Sequence, residues 1–377
     1  MNPLRQLHEQ AEAEFQRYGE IEIVCTFGEP QAEYAAIRKG CALMDLPQRG
    51  ILEATGPDRI DFLNRFLTNG LMVKDSKAAL AAGSGVYAFL LNNKGRIVAD
   101  VNVLERGDRT LLETDARNIP LLRDVLEKHR FSEKVNFESL LEKSHQIALH
   151  GPKAADILRR IVPGWIELAP LGSRAAKIGA TETVIWRDDP CASPGYYLII
   201  PAPSAAKLWM EILSSFSAGE PGKRAVRPAG WAVFNTTRIE AGRPIFGIDF
   251  DDTVLPAETG QLQRAVSFTK GCYLGQEIVA RMHARGQVPR QIVGIKMRDD
   301  ALPMAGAPMM DDQQNQVGGV TSSTVSPVLS GASIGLAMVK SAFAKPGTTL
   351  RVAAEGALRP GTVVELPFVK SQANAGD

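Results

Sequence analysis

Ile51-Leu52-Glu53-Ala54-Thr55-Gly56-Pro57-Asp58-Arg59-Ile60-Asp61-Phe62-Leu63-Asn64-Arg65 is answered 95 residues later by Gln146-Ile147-Ala148-Leu149-His150-Gly151-Pro152-Lys153-Ala154-Ala155-Asp156-Ile157-Leu158-Arg159-Arg160. Gly, Pro, Asp, Leu and Arg coincide at that offset. In each copy a short apolar strand ends at Gly, and Pro opens a helix whose apolar residues recur with helical spacing. The chain is therefore read as two related units.

Outward from the first copy, Val86-Tyr87-Ala88-Phe89-Leu90-Leu91, the turn Asn92-Asn93-Lys94-Gly95, Arg96 to Leu104 and Thr110-Leu111-Leu112 predict strands, and Arg117 to His129 a helix. The second copy offers strands at Thr183-Val184-Ile185-Trp186 and Tyr196-Tyr197-Leu198-Ile199-Ile200, then a helix from Ser204 to Phe216. Pro221-Gly222-Lys223-Arg224 leads into a helix bearing Trp231, Phe234 and Arg238. This order reads as α+β: two ferredoxin-like units, each a mainly antiparallel sheet with helices on one face. From Arg290 the texture changes to short strands between Gly and Pro: Ile292–Met297, Val317–Ser323, Ile334–Val339, Thr349–Val352 and Thr362–Leu366. Regular strand spacing without helices points to a small β-barrel. The expected organisation is a main region over 1–288, with units of about 41–145 and 146–288, a barrel over 289–370, and a frayed tail over 371–377.

Length and composition set the class. A chain of 377 residues with 45% hydrophobic content fills ordinary cores, as a globular protein of two or three domains. Lys+Arg 43 against Asp+Glu 42 leaves a formal charge of +1, so no global field recruits nucleic acid or an anionic membrane surface. The longest weakly polar run, Ala78 to Leu91, is shorter than the roughly 20 residues that span a bilayer. The first 20 residues, mixing Arg5, Glu9, Glu12, Glu14 and Arg17 with Leu4, Leu7 and Phe15, read as an amphipathic helix and not a signal peptide, and a cytoplasmic protein is expected. Cys25, Cys41, Cys191 and Cys272 form no Cys-x-x-Cys pair, so neither a zinc site nor a disulfide framework is indicated.

Lys270-Gly271-Cys272-Tyr273-Leu274-Gly275-Gln276-Glu277 sets a thiol between two glycines, two residues after a cation and just before a predicted helix. A cation and the positive end of a helix dipole both favour thiolate over thiol, and flanking glycines leave the sulfur open. A buried Cys acting as a small hydrophobe is the plainer alternative.

That string resembles the Lys-Gly-Cys-Tyr-x-Gly-Gln-Glu signature of the YgfZ-type folate-binding proteins, a branch of the superfamily of the glycine-cleavage T-protein, an aminomethyltransferase. The resemblance continues through Cys41-Ala42-Leu43-Met44-Asp45, Thr55-Gly56-Pro57-Asp58, Leu67-Thr68-Asn69, Lys94-Gly95-Arg96, His150-Gly151-Pro152, Arg238-Ile239-Glu240-Ala241-Gly242 and Gly319-Val320-Thr321-Ser322. It implies two intertwined sheet-and-helix units and a C-terminal barrel around a central channel that takes tetrahydrofolate or a derivative. It also implies a role in maturation or repair of iron–sulfur proteins, with folate, client proteins or assembly factors as partners. Cys272 would then be the reactive group and Lys270 its charge partner. A lone Cys is too few to hold a cluster, which usually takes four ligands. The alternatives are a true aminomethyltransferase, an enzyme of folate-dependent one-carbon transfer, and a folate-binding regulator without chemistry of its own.

Asp100 lies on Ile97-Val98-Ala99-Asp100-Val101-Asn102-Val103-Leu104, where alternation puts Ile97, Ala99, Val101 and Val103 on one face and Asp100 with Asn102 on the other. The resemblance aligns it with the T-protein carboxylate that holds the reacting folate nitrogen; the family's earlier Asp is Ala99 here. Arg238 reads either as a helix-surface ion pair or, from the family, as a cation facing the folate channel. Glu258, in Leu255-Pro256-Ala257-Glu258-Thr259, matches a family Pro-x-Glu turn or makes a loop salt bridge. Tyr197 stands where the transferase has a pterin-binding Glu, and Asp188-Asp189-Pro190-Cys191-Ala192-Ser193-Pro194 replaces the preceding family segment. A phenol cannot accept two pterin N–H bonds as a carboxylate does, so transferase chemistry is placed in doubt. Gly83-Ser84-Gly85 reads as a turn, Asp249-Phe250-Asp251-Asp252 as a solvated turn, and His145 and His150 as facing opposite ways on one strand. His283 follows Cys272 on the predicted helix.

Overall fold

The computed structural model describes residues 2–73, 78–216, 225–286 and 288–370. They gather into two compact units: residues up to 88 together with 101–234, and residues 89–100 together with those from 235 onward. Pro221-Gly222-Lys223-Arg224 and the expected tail lie outside the described residues.

The first unit opens with helix α1 (Arg5–Gln10), the hairpin β1 (Glu14–Tyr18) and β2 (Ile21–Thr26), helix α2 (Pro30–Lys39) and strand β3 (Ala42–Asp45). The single amphipathic helix expected over the first 20 residues is thereby corrected. It stops at Gln10, Glu12 takes a left-handed φ of 54°, and Glu14–Tyr18 pairs with β2. Tyr18 fixes that choice: it is buried against Trp231, edge to face at 5.3 Å, with Arg117 over its ring.

The internal echo is a repeat of topology. β4 (Arg49–Thr55), α3 (Arg59–Asn64), β5 (Gly85–Leu91), β6 (Ile97–Glu105), β7 (Arg109–Asp115), α4 (Ile119–Lys128) and β8 (Asn136–Ser139) form the first copy. β9 (Ser144–His150), α5 (Ala154–Ile161), β10 (Ser173–Ile178), β11 (Thr181–Arg187), β12 (Gly195–Pro201), α6 (Ala205–Ser215) and β13 (Arg227–Pro228) form the second. Their sheets run β5-β6-β7-β4-β8 and β10-β11-β12-β9-β3-β13, so each is a three-strand meander closed by the strand that opened the copy. β10–β11, β11–β12, β12–β9, β9–β3, β6–β7, β7–β4 and β4–β8 pair antiparallel, and β3 with β13 runs parallel. The Gly-Pro step recurs because the turn demands it. Gly56 and Gly151 have φ of 103° and 124°, and a Cβ would meet the Lys134 carbonyl oxygen at 2.1 Å or the Gly40 carbonyl oxygen at 2.5 Å. The six-stranded sheet buries Leu43, Leu149, Leu198, Leu158 and Trp209 in one apolar core with α5 and α6.

Helix α7 (Trp231–Glu240) has its first four residues in the first unit and the rest in the second, where α8 (Leu262–Ala265) and α9 (Gln276–Arg285) precede β14 (Arg290–Met297), β15 (Pro308–Met310), β16 (Gln316–Ser326), β17 (Ala332–Lys340), β18 (Thr349–Ala354) and β19 (Ala357–Val364). Those six strands close in the order β14-β17-β16-β15-β18-β19, around Ile295, Met309, Val339 and Val352. Closure depends on the three-residue β15, which has no alternation to announce it. The fold is thus mixed sheet-and-helix units followed by a small closed barrel.

Candidate functional site

Asp100 sits where β6 changes character. Ile97, Ala99 and Val101 are buried while Val98 and Asp100 are half-exposed, as alternation requires, and from Asn102 onward both faces are covered. The strand is anchored from behind: the turn Asn92-Asn93-Lys94-Gly95 packs on the start of α9. A Cβ on Gly95 would meet Cβ of Ile278 at 2.8 Å, and one on Gly275 would meet the Asn92 carbonyl oxygen at 2.7 Å. Both glycines have positive φ, and Gly275 is the left-handed residue just before α9. The signature's second glycine therefore fixes the helix to the Asp100 hairpin. Gly271 is the open one, with nothing within 4 Å of where its Cβ would be.

Cys272 is exposed in the loop three residues ahead of Gly275. Lys270 is half-buried with its ammonium 5.2 Å from the Tyr273 ring centre, and burial brings the amine down to about 7. His283 stacks on Phe268 with ring centres 4.0 Å apart.

Arg238 is fully buried, and its guanidinium is committed to protein partners. It bonds Asp249 Oδ2 at 2.5 Å, Ser322 Oγ at 2.6 Å, Asn235 Oδ1 at 2.9 Å and the Arg243 carbonyl at 3.2 Å. Asp249 accepts in turn from Thr321 Oγ1, Ser322 Oγ and the Ile245 amide. The Asp249 run read as a solvated turn is thus corrected at its first residue, which is 3% exposed; Asp251 and Asp252 remain exposed. The Arg238 and Thr321-Ser322 motifs, far apart in sequence, meet at this carboxylate. Glu258 is also buried; it takes the Leu255 amide at 2.8 Å and Arg290 Nε at 3.0 Å, closing its own loop onto the barrel strand β14.

Tyr197 belongs to the first unit. It is 7% exposed, stacks on Trp186 and meets His150 edge to face at 5.3 Å. Burial first, then Asp188, Cys191 and Glu113, pushes its phenol well above the ordinary range. His150 is fully buried, and both ring nitrogens and Trp186 Nε1 lack a hydrogen-bond partner among the described residues. Burial lowers that imidazole to about 4, with Asp188 opposing. A second polar group, missed in the sequence, lies in the same unit: Glu113 is held by Arg49 through two bonds of 2.6 Å and by Asn102 Nδ2 at 2.8 Å. Its signal was Asn102, a polar residue on the face Asp100 shares, directly across from Glu113 in register. Among the described residues no group of three or more His, Cys, Asp or Glu is arranged to hold a metal ion, and no helix is long and apolar enough to cross a membrane.

Residues 4–270 match the GCVT N-terminal domain, and residues 290–370 match the glycine cleavage T-protein C-terminal barrel domain. The chain belongs to the glycine-cleavage T-protein family. Among curated proteins it is similar to the aminomethyltransferase of Thermoanaerobacter pseudethanolicus, 27% identical over 346 residues and covering 90% of this chain and 89% of that protein. It is likewise similar to the aminomethyltransferase of Symbiobacterium thermophilum, 29% identical over 378 residues and covering 98% and 97%. The crystal structure of glycine cleavage system aminomethyltransferase T from Bartonella henselae superposes with a TM-score of 0.86 over 98% of each chain. At 24% identity that likeness establishes the T-protein fold.

Proposed function

We propose that this T-protein family member binds a reduced folate, with Asp100 as the carboxylate that meets the reacting nitrogen, and uses it in one-carbon transfer of the aminomethyl type. The supporting observation is Asp100 itself: a half-exposed carboxylate on a strand whose neighbours Ile97, Ala99 and Val101 are buried, held in place by the Gly95–Ile278 contact. A carboxylate so placed stabilises positive charge on a folate amine or takes its proton. The two curated relatives named above, aminomethyltransferases matched over 90% and 98% of this chain, favour this use of the folate. Asp100→Asn keeps the shape and removes the charge, so it should weaken tetrahydrofolate binding roughly ten- to hundredfold, the cost of losing a charged hydrogen-bond partner. Calorimetry on the purified chain reads this directly, and unchanged affinity removes Asp100 from the site.

A second reading is favoured by Cys272, which is exposed within the Lys-Gly-Cys-Tyr signature while Tyr197 fills the position of the transferase Glu. In it the protein is YgfZ-type, and the folate and the thiol together serve the maturation or repair of iron–sulfur proteins. Tetrahydrofolate-dependent release of ammonia from an aminomethylated lipoyl carrier protein separates the two. Turnover insensitive to Cys272→Ala supports the transferase. No turnover, together with loss of iron–sulfur enzyme activity in cells carrying Cys272→Ala, supports the YgfZ-type role.

A further inference from the structure

The outer wall of the barrel is apolar at one end and cationic at the other. Along β18, Leu350, Val352 and Ala354 enter the barrel core, which sends Thr349, Arg351 and Ala353 outward. Register then sets Ala353 beside Leu358, Arg351 beside Pro360, and Thr349 beside Thr362, whose other neighbour is Lys296 of β14. From Ala353 to Thr349 this face runs about 13 Å.

At the Ala353 end lies a groove of about 360 Å³ walled by Met304, Ala307, Ala353 and Leu358, with Glu355 at its turn. Met304 is 80% exposed and Leu358 44%, and Leu302, 36% exposed, stands two residues before Met304. Single apolar side chains scattered over a surface are ordinary; here they gather at one groove. At the other end stand Lys296, Arg298 and Arg351, all exposed. Arg298 donates to the hydroxyls of Thr349 and Thr362, and none of the three cations has an ion pair among the described residues. The sequences of β14, β18 and β19 contain no Asp or Glu to supply one. Of the acids in the adjoining loops, Asp299 pairs with Arg359 at 3.6 Å, Glu355 takes the Leu302 amide at 3.3 Å, and Asp300 is left against the three cations.

We propose that this face docks a partner protein through an acidic segment led by large apolar side chains. The apolar side chains enter the groove and leave water, and the carboxylates that follow meet Arg351, Arg298 and Lys296, setting direction and on-rate. A second copy of this chain fits poorly, since its matching strands bring cations and no carboxylates. Nucleic acid fits poorly too, because the groove has no aromatic side chain on which a base would stack. The proposal is independent of the folate reading.

The test is NMR of the full chain carrying isotope-labelled methionine methyl groups, titrated at low ionic strength with the peptide acetyl-Leu-Leu-Ala-Glu-Glu-Asp-Glu-amide. Saturable movement of the Met304 signal is expected, with Met309, in the barrel core, unmoved. The Lys296→Glu, Arg351→Glu double variant, altered only at exposed positions, should bind the peptide about tenfold more weakly or worse. Met304→Ser should weaken it as well, and both variants should keep the parent's tetrahydrofolate affinity. No saturable shift, equal affinity in the charge-reversed variant, or equal binding of a peptide with Lys at the acidic positions overturns the proposal. So does loss of tetrahydrofolate affinity in the variants, which would make this face part of the folate site, or self-association of the chain that Met304→Ser abolishes.

Discussion

Tyr197 lies flat on Trp186, with ring centres 4.4 Å apart and planes 20° from parallel. The two are cross-strand partners of β12 and β11, so the stack is built into the register of the sheet. At this position a carboxylate would be buried beside Asp188 and Glu113, the groups that already raise the phenol's pKa. Tyr197→Glu should therefore destabilise the protein by about 3 to 5 kcal/mol, the scale of an uncompensated buried charge. Tyr197→Phe keeps the stack and should cost far less. Denaturant midpoints of the two variants check this; equal midpoints would mean the site opens to water.

His150 makes a pH prediction. Its folded pKa of about 4 lies below the ordinary 6.5, so the unfolded chain binds the extra proton and stability rises with pH across that window. Equivalently, acidification from pH 6.5 to 4 withdraws up to about 3 kcal/mol through this group alone. A His150→Phe variant should lose that part of the slope. Urea unfolding of both proteins at several pH values in the window measures it, and parallel curves would show the ring protonated when folded.

Arg238 and Asp249 form an ion pair with both side chains at 0% exposure. Removing the cation leaves a buried carboxylate with only hydroxyl and amide donors, so Arg238→Ala should cost about 3 to 5 kcal/mol of stability. Loss of folate binding in that variant would then report damage to the fold. Double replacement of Arg238 and Asp249 by apolar residues should recover part of the loss. If Arg238→Ala alone is as stable as the parent, the pair is not the hub of this unit.

What the sequence could and could not reveal follows from how local each signal is. The β4/β9 echo was legible because a positive-φ turn against a backbone oxygen accepts only glycine, and the Gly-Pro step records that twice. The half-exposed position of Asp100 was legible from alternation along a single strand. Glu113 and Asp249 were not, since a carboxylate buried by partners from other strands looks in sequence like one exposed to water. The N-terminal segment misled for a different reason. Over so few residues the spacing of Leu4, Leu7 and Phe15 fits a helix, and only Tyr18 packing on Trp231 decides for a strand.

Cys272 should be the fastest of the four thiols to alkylate in the native protein. It alone is exposed; Cys25 is half-buried and raised by burial with Glu14 and Glu33 behind it, Cys41 is 1% exposed and pushed up by burial, and Cys191 is 0% exposed. Cys41 and Cys191 should label only through opening of the fold. Lys270 adds a pH signature. Its amine, brought to about 7 by burial, is charged mainly below that pH, so a lysine that acts on the thiol through its charge acts less as pH rises through 7. Lys270→Ala should thus slow Cys272 labelling more at pH of about 6.5 than at about 8.5. Iodoacetamide kinetics with mass-spectrometric site assignment gives all four rates. Faster labelling of Cys25 would overturn the exposure argument, and a Lys270→Ala effect of equal size at both pH values would show that the lysine positions the loop rather than charging it.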